Sequence, residues 1–245
     1  MLSIKEIQNK KKNKEKISII TAYDFAFARM AEEAGIDQIL VGDSLANVML
    51  GYPSTRDIGM AEMILFTRAV AKGAPNTHII ADMPYLSDGD PETAMENAKR
   101  LLEVGAHSVK LEGAKINVIE ALIKKGIPVM GHLGLLPQTA ESFKQYGKTE
   151  AEADQLLKEA LAIDKLGVYS MVLEHVPESL GSLISQRVSA TTIGIGAGRN
   201  TDGQVLVLHD VLGINGGKIP PFAKKFADVF EVGVRGISDY IRSIC

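Results

Sequence analysis

The chain has a single cysteine in 245 residues, Cys245 at the last position. No intrachain disulfide can form, and there is no cysteine cluster for zinc or an iron–sulfur centre. A reducing, cytoplasmic setting is therefore expected. An excess of one charge sign is also lacking. The 27 Lys and Arg against 30 Asp and Glu leave a formal net charge of -3, which gives no electrostatic basis for a nucleic-acid partner. Small-molecule partners are expected instead.

Long apolar runs are missing as well. After the lysines Lys10, Lys11, Lys12, Lys14 and Lys16, the run Ile17 to Ile20 is broken by Ser18, far short of a signal-peptide core or a membrane span. The lysines read as a solvated leader, and no membrane association is expected. No Pro-, Gly- or Ser-rich linker divides the chain, so residues 1–245 are expected to form one domain.

What the sequence does have is repetition of a short pattern. Apolar runs suited to buried strands fall at 17–22, 38–42, 78–81, 108–112, 127–132, 170–174, 191–196 and 204–209. Helix-like segments lie between most of them, at 24–34, 60–72, 91–104, 115–125, 150–166 and 178–187, one announced by Asp90 before Pro91. Strand–helix alternation implies parallel pairing, because each crossover returns the chain to the same end of the sheet. Eight such units in this length predict an α/β fold of the (β/α)8 TIM-barrel type, with an open doubly wound sheet as the alternative. The polar stretch Leu135 to Lys148 is long for a strand-to-helix loop and is a candidate lid or substrate-binding loop; Gly198 to Gly203 reads as a weakly helical link.

Four of the runs deliver an acid at the C-terminal end: Asp43 in QILVGDS, Asp82 in HIIADMP, Glu112 in SVKLEG and Glu174 in SMVLEHVP. Strand alternation puts Lys110 and Glu112 on one face and Val109 and Leu111 on the other, so the polar pair points into the barrel. Asp43, Asp82 and Glu112 close neighbouring strands at the end where barrel enzymes hold their active sites. Crowded carboxylates raise one another's pKa values or call for a cation, and Lys110 supplies only one charge. A hard divalent ion bound by oxygen, Mg2+ in preference to Zn2+, would stabilise the group. The alternative is that each acid caps the helix that follows it.

Glu174, across the barrel from that cluster, stands where a proton-transfer residue would. His132 is either a ligand-binding donor or a brace behind the acids. Gly194, Gly196 and Gly198 either hold a phosphate or let a loop approach the ligand.

Together TAYDFAFA, ILVGDSL, ADMPY, VKLEG, GHLGLLPQ, VLEHVP, IGIGAG and TDGQVLVLHDVLGI, in this order from about Thr21 to about Pro221, resemble the ketopantoate hydroxymethyltransferases. The resemblance implies a (β/α)8 barrel that transfers a hydroxymethyl group from 5,10-methylenetetrahydrofolate to 3-methyl-2-oxobutanoate, giving 2-dehydropantoate in pantothenate biosynthesis. It implies Mg2+ at Asp43 and Asp82, with Glu112 in the same site. It also implies substrate contacts at Asp43, Ser44, Asp82 and Lys110, Glu174 as proton acceptor, and a homo-oligomer, a decamer in the family. Ala46 and Ala114 stand where the family usually has Gly, Phe66 where it often has His, and Leu136 where it has Thr. The segment Ser142 to Lys148 is shorter than usual.

Two other readings compete. One is a Mg2+-dependent enolate enzyme of the phosphonomutase and isocitrate-lyase type; those enzymes generally use a catalytic cysteine or a different loop, and Cys245 is badly placed for that role. The other is a non-catalytic ligand-binding barrel or oligomeric scaffold, against which the cluster of four acids and Lys110 argues.

Overall fold

The computed structural model describes residues 1–217 and 219–245. Its centre is a closed barrel of eight parallel strands in sequence order: β1 (Ile17–Thr21), β2 (Gln38–Val41), β3 (His78–Asp82), β4 (Ser108–Glu112), β5 (Val129–Gly134), β6 (Ser170–Glu174), β7 (Thr191–Ile195) and β8 (Gly203–Leu206). β8 pairs back onto β1, with Gly203 opposite Ile17, so no strand edge is left open. The open doubly wound alternative is thereby excluded.

The helices are α1 (Ile4–Lys12), α2 (Phe25–Glu33), α3 (Leu45–Val48), α4 (Met60–Gly73), α5 (Pro91–Glu103), α6 (Ile116–Lys124), α7 (Glu150–Leu166), α8 (Glu178–Arg187), α9 (Leu208–Leu212) and α10 (Val229–Ile244). α5 begins as its sequence foretells: Asp90 accepts from the backbone N–H groups of Glu92 and Thr93, and Pro91 occupies the first turn, where its missing donor is not needed.

Alternation along the strands divides the core in two. Ile39, Val41, Ile79, Ala81, Val109 and Leu111 point outward into the layer shared with the helices. Ile17, Ile19, Leu40, Ile80, Met130 and Ile193 fill the barrel interior. The strand walls therefore read as nearly continuous apolar runs.

Three expectations are corrected. The lysine-rich segment is not a solvated leader. It forms α1, started by a capping box between Ser3 and Glu6, with Ile7 fully buried in the interior cluster. Lys10 pairs with Asp37, and Lys11 donates to the carbonyls of Ser185 and Ala190 and pairs with Asp202 at 2.9 Å. These partners all precede strands, so α1 closes the N-terminal end of the barrel. The eighth strand stops at Leu206, and His209 lies in α9. The Gly198 to Gly203 link is not helical but a series of bends. Finally, α10 was not anticipated. None of its residues is buried, and it exposes Phe230, Val232, Val234, Ile237, Tyr240 and Ile241. On the outer side of β1 and β8 an apolar groove of about 810 Å³ stays open, lined by residues including Ile20, Ile36, Leu206, Val211 and Phe226.

Among the described residues no helix is long and apolar enough to cross a membrane.

Candidate active site

The four acids converge at the C-terminal end of the barrel. Asp43, Asp82, Lys110, Glu112, His132 and Glu174 all line one cavity of about 310 Å³. They do not cap the following helices: the N-cap positions of α3, α5, α6 and α8 are Ser44, Asp90, Lys115 and Pro177. The capping alternative is thus excluded.

The strand register places each group. Asp82 on β3 is aligned with Lys110 on β4, and Glu112 with His132 on β5. Lys110 Nζ lies 3.0 Å from Asp82 Oδ1 and 3.4 Å from His132 Nδ1. The Lys110–Asp82 contact has the distance of an ion pair without the angle of a hydrogen bond, which leaves Asp82 Oδ1 buried and unsatisfied. Asp82 Oδ2 accepts from the backbone N–H of Asp43 at 3.0 Å. Ser44 Oγ is 2.8 Å from the hydroxyl of Tyr23, a fully buried ring after β1.

Glu174 is less isolated than expected. His132 Nε2 stands 3.2 Å from Glu174 Oε2, while His132 Nδ1 stands 3.7 Å from Glu112 Oε1, so the imidazole links the base candidate to the cluster. Burial, reinforced by Lys110, lowers the His132 pKa, and the ring is neutral near pH 7. It therefore stands between the two glutamates as a neutral ring, with Nδ1 turned to the Lys110 ammonium at 3.4 Å. Gly134 makes this geometry attainable: its φ is +97°, and a Cβ there would meet the Glu174 carbonyl at 2.2 Å, so the ends of β5 and β6 can approach closely.

The site is charged in excess of what it can balance. Burial pushes the Asp82 carboxyl up to about 7 and Glu112 up to about 8, against the pull of Lys110 in both cases. Burial also raises Asp43, which Lys110 and Gln138 partly offset. Lys110 is held protonated, since Asp82, Asp43 and Glu112 together outweigh its own burial. One fixed cation therefore faces three buried acids.

That imbalance fits a metal ion. The donors are all oxygen, and Asp82 Oδ1 has no hydrogen-bond donor. Among the described residues no three His, Cys, Asp or Glu side chains form a cage of their own. Magnesium suits such a site, because it usually takes one or two carboxylates and fills its remaining positions with water and substrate.

Sequence reasoning missed Gln138. It sits in the loop after β5, and its Nε2 donates to Asp43 Oδ2 at 2.7 Å and to the Met83 carbonyl at 2.9 Å. Its backbone N–H donates to Glu112 Oε2 at 3.0 Å. Arg56 fastens the same turn, through Nε to the Gln138 carbonyl at 2.6 Å. The expected lid segment is thus anchored at its start, while Phe143 further along reaches the cavity mouth. None of Ala46, Phe66, Ala114 and Leu136 lines the cavity.

The glycines after β7 serve packing. Gly198 has a φ of +76° with the Glu178 side chain against it, and Glu178 accepts from Arg199 N and Asn200 Nδ2. Glu178 thus takes two of the donors that follow the glycine run.

Comparison with known proteins bears on what such a site does. The family model described as ketopantoate hydroxymethyltransferase matches residues 1–245. A 3-methyl-2-oxobutanoate hydroxymethyltransferase of Thermosipho melanesiensis is 47% identical over 239 residues, covering 95% of this chain and 90% of that protein. One of Idiomarina loihiensis is 48% identical over 253 residues, covering 98% and 94%. Among solved structures, a phosphoenolpyruvate phosphomutase from Streptomyces platensis subsp. rosaceus superposes with a TM-score of 0.68 at 14% identity, covering 99% of this chain and 87% of that one. The phosphonomutase likeness is one of fold alone, whereas the identity to the hydroxymethyltransferases is near one half over nearly the whole length. By that measure the chain belongs to the ketopantoate hydroxymethyltransferase family.

Proposed function

We infer that this chain transfers a hydroxymethyl group from 5,10-methylenetetrahydrofolate to 3-methyl-2-oxobutanoate, yielding 2-dehydropantoate and tetrahydrofolate, with water supplying the hydroxyl oxygen. The observation that carries the reading is that Lys110, the aspartates and Glu174 line a single cavity. A 2-oxo acid needs its carboxylate held at one end and a base near C3 at the other, and the cavity offers both.

Asp43 and Asp82 would hold Mg2+, with Glu112 in the same site. Bound there, the cation supplies Lewis-acid stabilisation of the negative charge created when C3 loses its proton. Lys110 and Ser44 bind the substrate carboxylate and orient C3, a task for which Tyr23 fixes the Ser44 hydroxyl. Glu174 accepts the C3 proton, with the His132 ring beside its carboxylate at 3.2 Å. Both carbon–nitrogen bonds of the methylene bridge break over the reaction: the one-carbon unit gains its hydroxyl oxygen from water and its new carbon bond from C3, and the two folate nitrogens take up the protons released by C3 and by water.

The chain works as one barrel domain, in the cytoplasm, within a homo-oligomer of decameric type. The bare apolar side of α10 and the open groove over β1 and β8 support association. The test is a coupled assay for 2-dehydropantoate with both substrates and Mg2+. Turnover that depends on folate and metal is expected; no product under those conditions would refute the assignment.

A further inference from the structure

The cavity has two chemically different ends. Its inner end is the buried cluster of acids with Lys110. Its outer end is apolar and aromatic: Val48, Pro137, Val207, Pro220, Phe143 and Phe222, with Phe143 80% and Phe222 40% exposed. Among the described residues, one charged side chain lines this outer end, Asp210 on α9.

Asp210 is oddly placed for a structural acid. It lies in the first turn of α9, where a carboxylate normally accepts backbone N–H groups and has its pKa lowered. Here burial is the one perturbation, and it raises the pKa; no donor or cation among the described residues offsets it. A half-buried acid without a partner, on the wall of an apolar cavity, is a recognition element awaiting a donor.

We propose that this outer end is the pterin subsite, with the Asp210 carboxylate accepting the parallel N–H donors of the 2-amino-4-oxopyrimidine edge and Phe143 or Phe222 covering the ring face. The proposal rests on the hydroxymethyl-transfer reading, and it gives the one-carbon donor a place beside the oxo acid. The chemistry is bidentate: two donors on one rigid edge meet the two oxygens of one carboxylate, the geometry that makes guanidinium–carboxylate pairs strong. The same edge lies on the far side of the ring system from the substituents that carry the methylene carbon. Asp210 would thus grip the cofactor at its outer rim while the reactive carbon turns inward to Glu174 and the oxo acid.

Asp210→Asn tests this. The amide replaces one acceptor with a donor facing another donor, so the KM for methylenetetrahydrofolate and the Kd for tetrahydrofolate should rise by about 10- to 100-fold, the loss of a charge-assisted pair. Exchange of the C3 hydrogen of 3-methyl-2-oxobutanoate in D2O without folate should stay at the wild-type rate, which also shows that the variant is folded. A specificity readout separates recognition from mere structure. Wild type should discriminate against a methylenetetrahydrofolate analogue lacking the 2-amino group by about tenfold or more, and Asp210→Asn should lose most of that discrimination. Unchanged folate affinity, or discrimination retained in the variant, would overturn the subsite while leaving the enzyme assignment standing. Wild-type protein that neither exchanges C3 nor forms product would overturn both.

Discussion

Gln138 Nε2 lies 2.7 Å from Asp43 Oδ2, so a loop residue from beyond β5 rests on a carboxylate that follows β2. Its backbone N–H, on Glu112, ties the same loop to β4. One residue therefore sets the spacing of two acids and the start of the loop over the cavity. Gln138→Ala should lower kcat/KM for the oxo acid by about 10- to 100-fold, the range for hydrogen bonds to charged groups. Gln138→Glu should be worse, since it adds a carboxylate to a site already short of positive charge. Steady-state kinetics with a circular-dichroism check of folding decides it; kinetics like wild type in both variants would reduce Gln138 to a loop anchor.

Lys110 faces Asp82 at 3.0 Å and is kept protonated by the surrounding acids. If it grips the substrate carboxylate, Lys110→Met should weaken oxo-acid binding by about 10- to 100-fold while metal binding is retained. Calorimetric titration of metal and substrate separately reads both. Unchanged substrate affinity would show that the lysine only balances charge.

Removing the base should separate the two halves of the reaction. Wild type with Mg2+ and 3-methyl-2-oxobutanoate in D2O is expected to exchange the C3 hydrogen with no folate present. Glu174→Gln, nearly isosteric but unable to take the proton, should lose about 10²- to 10⁴-fold of that rate with little change in oxo-acid affinity. NMR of the C3 position is the measurement, and a Gln variant as fast as wild type would remove Glu174 from the mechanism.

Stability should carry a histidine signature far from the site. His78, at the start of β3, is buried with Nε2 3.0 Å from Ser108 Oγ, and burial lowers its pKa from 6.5 to about 4, with His107 adding to the effect. The unfolded chain therefore binds more protons between those values, so stability falls as pH drops from 6.5 toward 4 and levels off below. The contribution is up to about 3 kcal/mol. Denaturant melts across this window should show a shallower acid limb in His78→Gln than in wild type; equal slopes would contradict the assignment.

Much of the fold was legible because a barrel strand buried on both faces leaves an unbroken apolar run, and a run that ends in an acid marks the working end. Asp43, Asp82, Glu112 and Glu174 were found in that way, and the cavity unites them. Gln138 was not found, since a lone glutamine in a polar loop carries no periodic signal and its partners lie 95 and 26 residues away. The docked α1 was misread because lysines that satisfy carbonyls look the same in sequence as lysines in water. The cue was there in Ser3, Glu6 and Ile7, a capping box beside an apolar position. α10 was missed although its apolar residues recur at helical spacing; they stay largely exposed in the described chain, with the Phe230 ring over Gly216.

The closure of the barrel by α1 has a consequence for how the chain is made. Lys11 is fastened to carbonyls 174 and 179 residues further along, so α1 is secured by segments synthesised long after it. Contacts of such sequence separation form slowly, because a long loop must be ordered before they give any return. Until residues 185–202 have folded, Ile7 has no interior to enter. A nascent or truncated chain then carries a cationic helix with an undocked apolar side, the kind of surface that chaperones and proteases meet first.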